Sequence, residues 1–170
     1  MPIKVVYQDN TEKKFKDFEE IENYDIVKIL YCSYMKLKEL PILPQNLERL
    51  DCYNNQIKSL NNLPKKLKIL NCSENKLTSL ENLPQYLIRL YCNYNQIKYI
   101  DNSLLQCRNL QYINYSNNPL TIQQKNFITW IQERNRQRIN NNYYKDGQNV
   151  HNSSIQKSIR RSIENLMNFQ

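Results

Sequence analysis

Residues 43–62 read LPQNLERLDCYNNQIKSLNN, residues 63–82 read LPKKLKILNCSENKLTSLEN, and residues 83–102 read LPQYLIRLYCNYNQIKYIDN. The three lines superpose without a gap at a period of 20 residues. Self-similarity at a fixed short period marks a chain that stacks one small unit, because no single unit can bury its apolar face alone. A less regular copy precedes them through Val27, Leu30, Cys32, Leu37 and Leu40. Another follows through Leu110, Ile113, Tyr115, Asn118 and Leu120, offset by 23 residues rather than 20. Five units result.

Within each unit the step Leu-x-x-Leu-x-Cys places the fourth and sixth positions on one side of an extended strand, since side chains alternate with period two. Leu50 with Cys52, Leu70 with Cys72, and Leu90 with Cys92 are therefore expected to point inward together. Stacked units make a parallel sheet. The Asn at the ninth position (Asn55, Asn75, Asn95 and Asn118) is expected to turn the chain off the strand and to satisfy backbone groups that water cannot reach. Leu-Pro at 43–44, 63–64 and 83–84 holds the return path extended, and 20 residues leave no room for a full helix on the outer face.

These repeats resemble the leucine-rich-repeat family, with its L-x-x-L-x-L-x-x-N/C-x-L pattern. They are most similar to the short 20-residue subtype that opens each unit with Leu-Pro, as in bacterial effector and giant DNA virus proteins. The resemblance covers roughly residues 23–120. It implies an α/β solenoid with a short parallel sheet of about five repeats, and a protein-binding role without catalysis. A segment from Asp146 to Ile159, with Val150, His151 and Ser154, also resembles tail segments of giant-virus proteins, which implies a viral origin and a host or viral partner.

A solenoid leaves an apolar cross-section at each end unless a cap covers it. Residues 1–26, with Ile3, Val5, Tyr7, Phe15 and Phe18 around a polar turn, read as a β-hairpin-type N-terminal cap. Residues 27–120 carry the repeats. Residues 121–138 read as a C-terminal capping helix, with Thr121 and Gln124 as a capping box and Phe127, Trp130 and Ile131 as its apolar face. Residues 139–152 are polar and contain Gly147, the chain's single glycine, and read as a loop. Residues 153–170 read as a basic amphipathic helix whose stripe of Ile155, Ile159, Ile163 and Leu166 folds back, meets a membrane surface, or pairs with another copy to give a homo-oligomer.

Composition removes several function classes. One glycine cannot build a phosphate-cradling loop. Four cysteines at an interval of 20 (Cys32, Cys52, Cys72, Cys92) lack metal-ligand spacing and read as a buried ladder of small hydrophobes. Cys107 lies in the irregular insertion and is expected to be accessible, yet it has no histidine partner, His151 being in the tail. No catalytic residue, metal ligand or cofactor is expected. The N-terminus lacks an apolar leader and no window approaches a membrane span, so the expected compartment is the reducing cytoplasm. Of the net charge of +8, eight basic and three acidic residues from Thr121 onward contribute +5. Nucleic acid is nonetheless disfavoured as a partner, because only Trp130, Tyr143 and Tyr144 could stack bases near those charges.

What remains is the open face of the sheet. The third and fifth positions of each unit point away from the core: Ile29 and Tyr31, Arg49 and Asp51, Ile69 and Asn71, Arg89 and Tyr91, Tyr112 and Asn114, with Tyr53 just beyond its strand. Tyr and Arg are enriched at binding hot spots. These residues are the candidate protein-binding face. Five strands span only about 20 Å, so loops must add to the footprint.

Overall fold

The computed structural model describes residues 1–144. The chain divides into two compact units, Met1–Gln137 and Arg138–Gln170. Among the described residues the first contains the strands β1 (Ile3–Tyr7), β2 (Glu12–Phe15), β3 (Val27–Tyr31), β4 (Arg49–Asp51), β5 (Ile69–Asn71), β6 (Ser79–Leu80), β7 (Arg89–Tyr91), β8 (Tyr99–Ile100) and β9 (Tyr112–Asn114). The helix α1 (Ile122–Tyr144) begins in the first unit.

The sheet has seven strands in the order β2-β1-β3-β4-β5-β7-β9. From β3 to β9 every pairing is parallel and in repeat register: Leu30 opposite Leu50, Leu70, Leu90 and then Ile113. The five expected repeat strands are thus present. The N-terminal hairpin is present too, but it does more than cover the end. β1 pairs antiparallel with β3, and β2 with β1, so the cap lengthens the sheet by two strands. A second, two-stranded sheet pairs β6 with β8.

One continuous core runs the length of the solenoid. Leu50, Leu70 and Leu90, their companions Leu47, Leu67 and Leu87, and Cys32, Cys52, Cys72 and Cys92 are all completely buried. The asparagine column performs the predicted role atom by atom. Asn75 accepts from Ile57 N at 3.0 Å and donates through Nδ2 to Cys52 O, Cys72 O and Ser73 O at 3.0, 3.1 and 3.2 Å. Asn55, Asn95 and Asn118 repeat this bridge between consecutive turns. Met35, in the unit that lacks the asparagine, instead donates its own N–H to Asn55 Oδ1.

Three expectations need correction. Cys107 is fully buried, because the insertion winds into a 3-10 turn over Asn102–Gln106 that folds Leu104 and Cys107 into the core. Its thiol donates to Pro84 O at 3.4 Å, and burial pushes its pKa up to about 12. The capping box closes on one side only. Gln124 N donates to Thr121 Oγ1 at 3.3 Å, but the Gln124 side chain turns away and accepts from Ile100 N at 3.1 Å. Finally, α1 continues to Tyr144 rather than ending at Arg138, so residues 139–144 are helical. No Gly or Pro occurs between Pro119 and Gly147 to stop it, and polar composition alone does not break a helix. His151 and the stripe of Ile155, Ile159, Ile163 and Leu166 lie outside the described residues.

Candidate functional site

The register sorts the outward side chains into two rows. One runs Ile29, Arg49, Ile69, Arg89, Tyr112, and the other Tyr31, Asp51, Asn71, Tyr91, Asn114. All ten predicted strand residues therefore share a face. The hairpin extends both rows, because Val6 stands opposite Ile29 and Glu12, and Lys4 stands opposite Tyr31 and Lys14. The sequence does not reveal this extension: nothing in the repeat pattern says that the cap joins the sheet edge. Seven strands span about 29 Å rather than about 20 Å.

The residues of the face differ in how far their polar atoms are already engaged. Asp51 is occupied: its Oδ1 accepts from Ser33 Oγ at 2.9 Å, Asn71 Nδ2 at 3.2 Å and Tyr53 N at 3.4 Å. Asn71 and Asn114 each accept from the N–H of a serine two residues on, at 3.2 Å in both cases. Through these oxygens the three side chains fasten the strand ends. Tyr31 is held between two cations, with Lys4 Nζ 5.4 Å and Arg49 Cζ 5.2 Å from its ring centre. Lys4 also pairs with Glu12 at 2.8 Å, and the hydrogen bond to Glu12 raises the lysine pKa.

Arg49 is only loosely held, its Nη2 lying 3.7 Å from Asp51 Oδ2, and its Nε is enclosed without an acceptor among the described residues. Arg89 is exposed and, among the described residues, has no carboxylate within ion-pair distance. Tyr91 and Tyr112 pack ring to ring at 5.2 Å, and Tyr112 remains 44% exposed. Ile29 and Ile69 are half-buried between these groups.

Beyond the strands, the predicted Tyr53 sits edge-on to Tyr34, 5.2 Å between rings. Its hydroxyl pKa is raised, first by Tyr34 and then by Glu74. Tyr34, Glu74 and Tyr94, with Asn54 and Asn117, occupy left-handed backbone positions at φ between 52° and 61°. This tyrosine-rich rim borders the face and was only partly foreseen, since left-handed positions are expected to carry Gly or Asn.

At the far end, α1 closes the solenoid. Phe127 and Trp130 pack against the core and stack on each other at 6.4 Å. Asn135 is fully buried, and its Nδ2 donates to Cys107 O at 2.9 Å and Leu110 O at 3.0 Å. It thereby supplies from a helix what the next repeat's asparagine would supply from a turn. Arg134 lies over the Trp130 ring at 5.1 Å and donates to Leu105 O and to Asn135 Oδ1.

Among the described residues no cluster of three or more potential metal ligands occurs, and no helix is long and apolar enough to cross a membrane. The five thiols are free and buried. Burial raises the pKa of Cys32 and Cys92 to about 12, and that of Cys52 and Cys72 well above the ordinary value.

A parallel sheet with an asparagine-bridged turn and an open side-chain-bearing face defines a repeat scaffold of the kind used for protein–protein interaction. The repeat body has the fold of a leucine-rich-repeat solenoid and is similar to those of bacterial effector proteins. The family described as Leucine Rich repeats (2 copies) matches residues 45–85. Among solved structures, YopM from Yersinia enterocolitica WA-314 is similar at 36% identity and a TM-score of 0.52, over 54% of this chain and 20% of that one. A Shigella effector LRR domain is similar at 28% identity and a TM-score of 0.50, over 55% of this chain and 46% of that one. The chain thus spans a fifth and somewhat under half of these two relatives' lengths. No protein of curated function matches it.

Proposed function

We propose that the protein is a non-catalytic interaction module that binds another protein on the open face of its sheet. The observation that carries this reading is the contrast within the face. Asp51, Asn71 and Asn114 are engaged in holding the strand ends, whereas among the described residues Arg89, Tyr91 and Tyr112 form no side-chain hydrogen bond or ion pair and Arg49 only the 3.7 Å pair with Asp51, in rows that also carry the half-buried Ile29 and Ile69. Large, directional side chains on a rigid sheet lose little conformational entropy on binding, which favours them as anchors. A strip about 29 Å by about 10 Å is smaller than a standard interface of about 800 Å² per partner, so the rim tyrosines Tyr34, Tyr53 and Tyr94 complete it. Buried free thiols suit a reducing cytoplasm, where we place the interaction. If the source is viral, the partner is a host or viral protein.

The reading is tested by recovery of partners from a cytosolic lysate on immobilised wild-type protein and on the Arg49→Glu/Tyr91→Ala variant. Loss of specific prey from the variant, with its thermal melt unchanged, is expected. Equal recovery of every prey by both forms removes the sheet face from consideration.

A further inference from the structure

We infer that the ligand of this face is an acidic amphipathic helix of a partner protein, laid across the strands along the row from Ile29 to Tyr112. The inference rests on the binding-face reading above and adds the chemistry of the occupant.

The row alternates in character: Ile29, Arg49, Ile69, Arg89, Tyr112, one residue per parallel strand. Strands lie about 4.8 Å apart, so the two guanidinium-bearing positions are about 9.6 Å apart, with an isoleucine midway. A helix rises about 1.5 Å per residue, so positions seven apart are about 10.5 Å apart and positions three or four apart about 5 Å. A helix face reading apolar, acidic, apolar, acidic, apolar at steps of three and four residues therefore matches the row position by position. An extended segment crossing the strands does not match. Its same-side residues recur at about 6.7 Å, and neither one nor two such steps equals about 9.6 Å.

Charge selects the sign. Arg89 meets no carboxylate among the described residues, and Arg49 has only a distant one at 3.7 Å. Carboxylates of the incoming helix would give both arginines the bidentate partner they lack. The chain's own residues from Thr121 onward carry eight basic and three acidic groups, the wrong sign for this row.

The test uses the full chain and a fluorescein-labelled helical peptide with Leu at positions 1, 8 and 15 and Glu at positions 4 and 11 on an Ala/Gln background. Anisotropy titrations compare it with the same peptide carrying Lys at 4 and 11. The Glu peptide is expected to bind at least tenfold tighter and to weaken with salt. Arg89→Glu, at an exposed position without an ion pair, should abolish that preference, and Arg49→Glu/Arg89→Glu should invert it. Equal binding of the two peptides, binding of neither, or preference for a labelled oligodeoxythymidylate over the Glu peptide each overturns the inference. If lysate prey still depend on Arg49 and Tyr91 while the peptides fail, the face binds a partner of other chemistry. If both fail, the binding-face reading falls with it.

Discussion

At the scale of the residue, the asparagine column carries disproportionate weight. Asn75 is 8% exposed and joins four backbone groups from two turns. Replacing it with Ala strands those donors and acceptors where water cannot reach, at a cost of about 3 kcal/mol. The urea midpoint of Asn75→Ala should fall by that equivalent with an unchanged slope. Asn75→Asp should lose nearly as much, because a carboxylate has no N–H for Cys52 O and Cys72 O. The thiols give a second residue-scale prediction. Burial raises the pKa of Cys32, Cys92 and Cys107 to about 12 in the folded protein. A group whose folded pKa lies above its unfolded value contributes stability that is intact below the unfolded pKa, near 9, and disappears as pH rises towards the folded value. The urea midpoint should therefore be flat with respect to the thiols below pH 8 and decline between about pH 9 and pH 12. An aromatic disulfide reagent at pH 8 should leave all five thiols unmodified until the chain unfolds.

At the scale of the element, α1 behaves as a substitute repeat. Asn135→Ala removes the two bonds to Cys107 O and Leu110 O, and should destabilise the cap by about 2 kcal/mol. The near-UV signal of Trp130 should melt first in that variant. How much of each element was legible in the sequence follows from what its side chains face. The repeat strands were legible, because period two and period 20 coincide on Leu50, Leu70 and Leu90, and burial forces the register. The turn asparagines were legible for the same reason, a single buried task repeated at fixed spacing. The pairing of β1 with β3 was not, since a hairpin's own alternation does not encode which edge receives it. Nor was the burial of Cys107: three extra residues have many possible paths, and only the packing of Leu104 selects the one taken. Asn135 was hidden because a single polar residue in a helix is ordinarily solvated.

At the scale of the first unit as a whole, stability is a chain of nearest-neighbour terms, each turn touching the one before and the one after. Leu70→Ala in the central turn opens a cavity between two fully packed neighbours and should cost about 3 kcal/mol. Native-state hydrogen exchange should show amides of β4, β5 and β7 as the slowest and those of β2 as the fastest, with protection falling towards the ends. Uniform protection from β2 to β9 would indicate one indivisible cooperative block instead. Of the open face proposed for binding, the ten strand positions were legible in the sequence because their orientation is the complement of the core's. Their division into engaged and unengaged groups was not, because it depends on which serine or asparagine lies one turn away.

The scarcity of glycine has an effect beyond folding. Where other chains would place a hydrogen atom at a left-handed bend, this one places Tyr34, Asn54, Glu74, Tyr94 and Asn117. Every bend beside the sheet thus becomes a display position, with the conformational cost of about 1 kcal/mol already absorbed by the rigid ladder beneath it. Substituting one such residue for another changes what a visitor meets without altering how the chain turns. The side chains shown at the border can diversify while the architecture stays fixed.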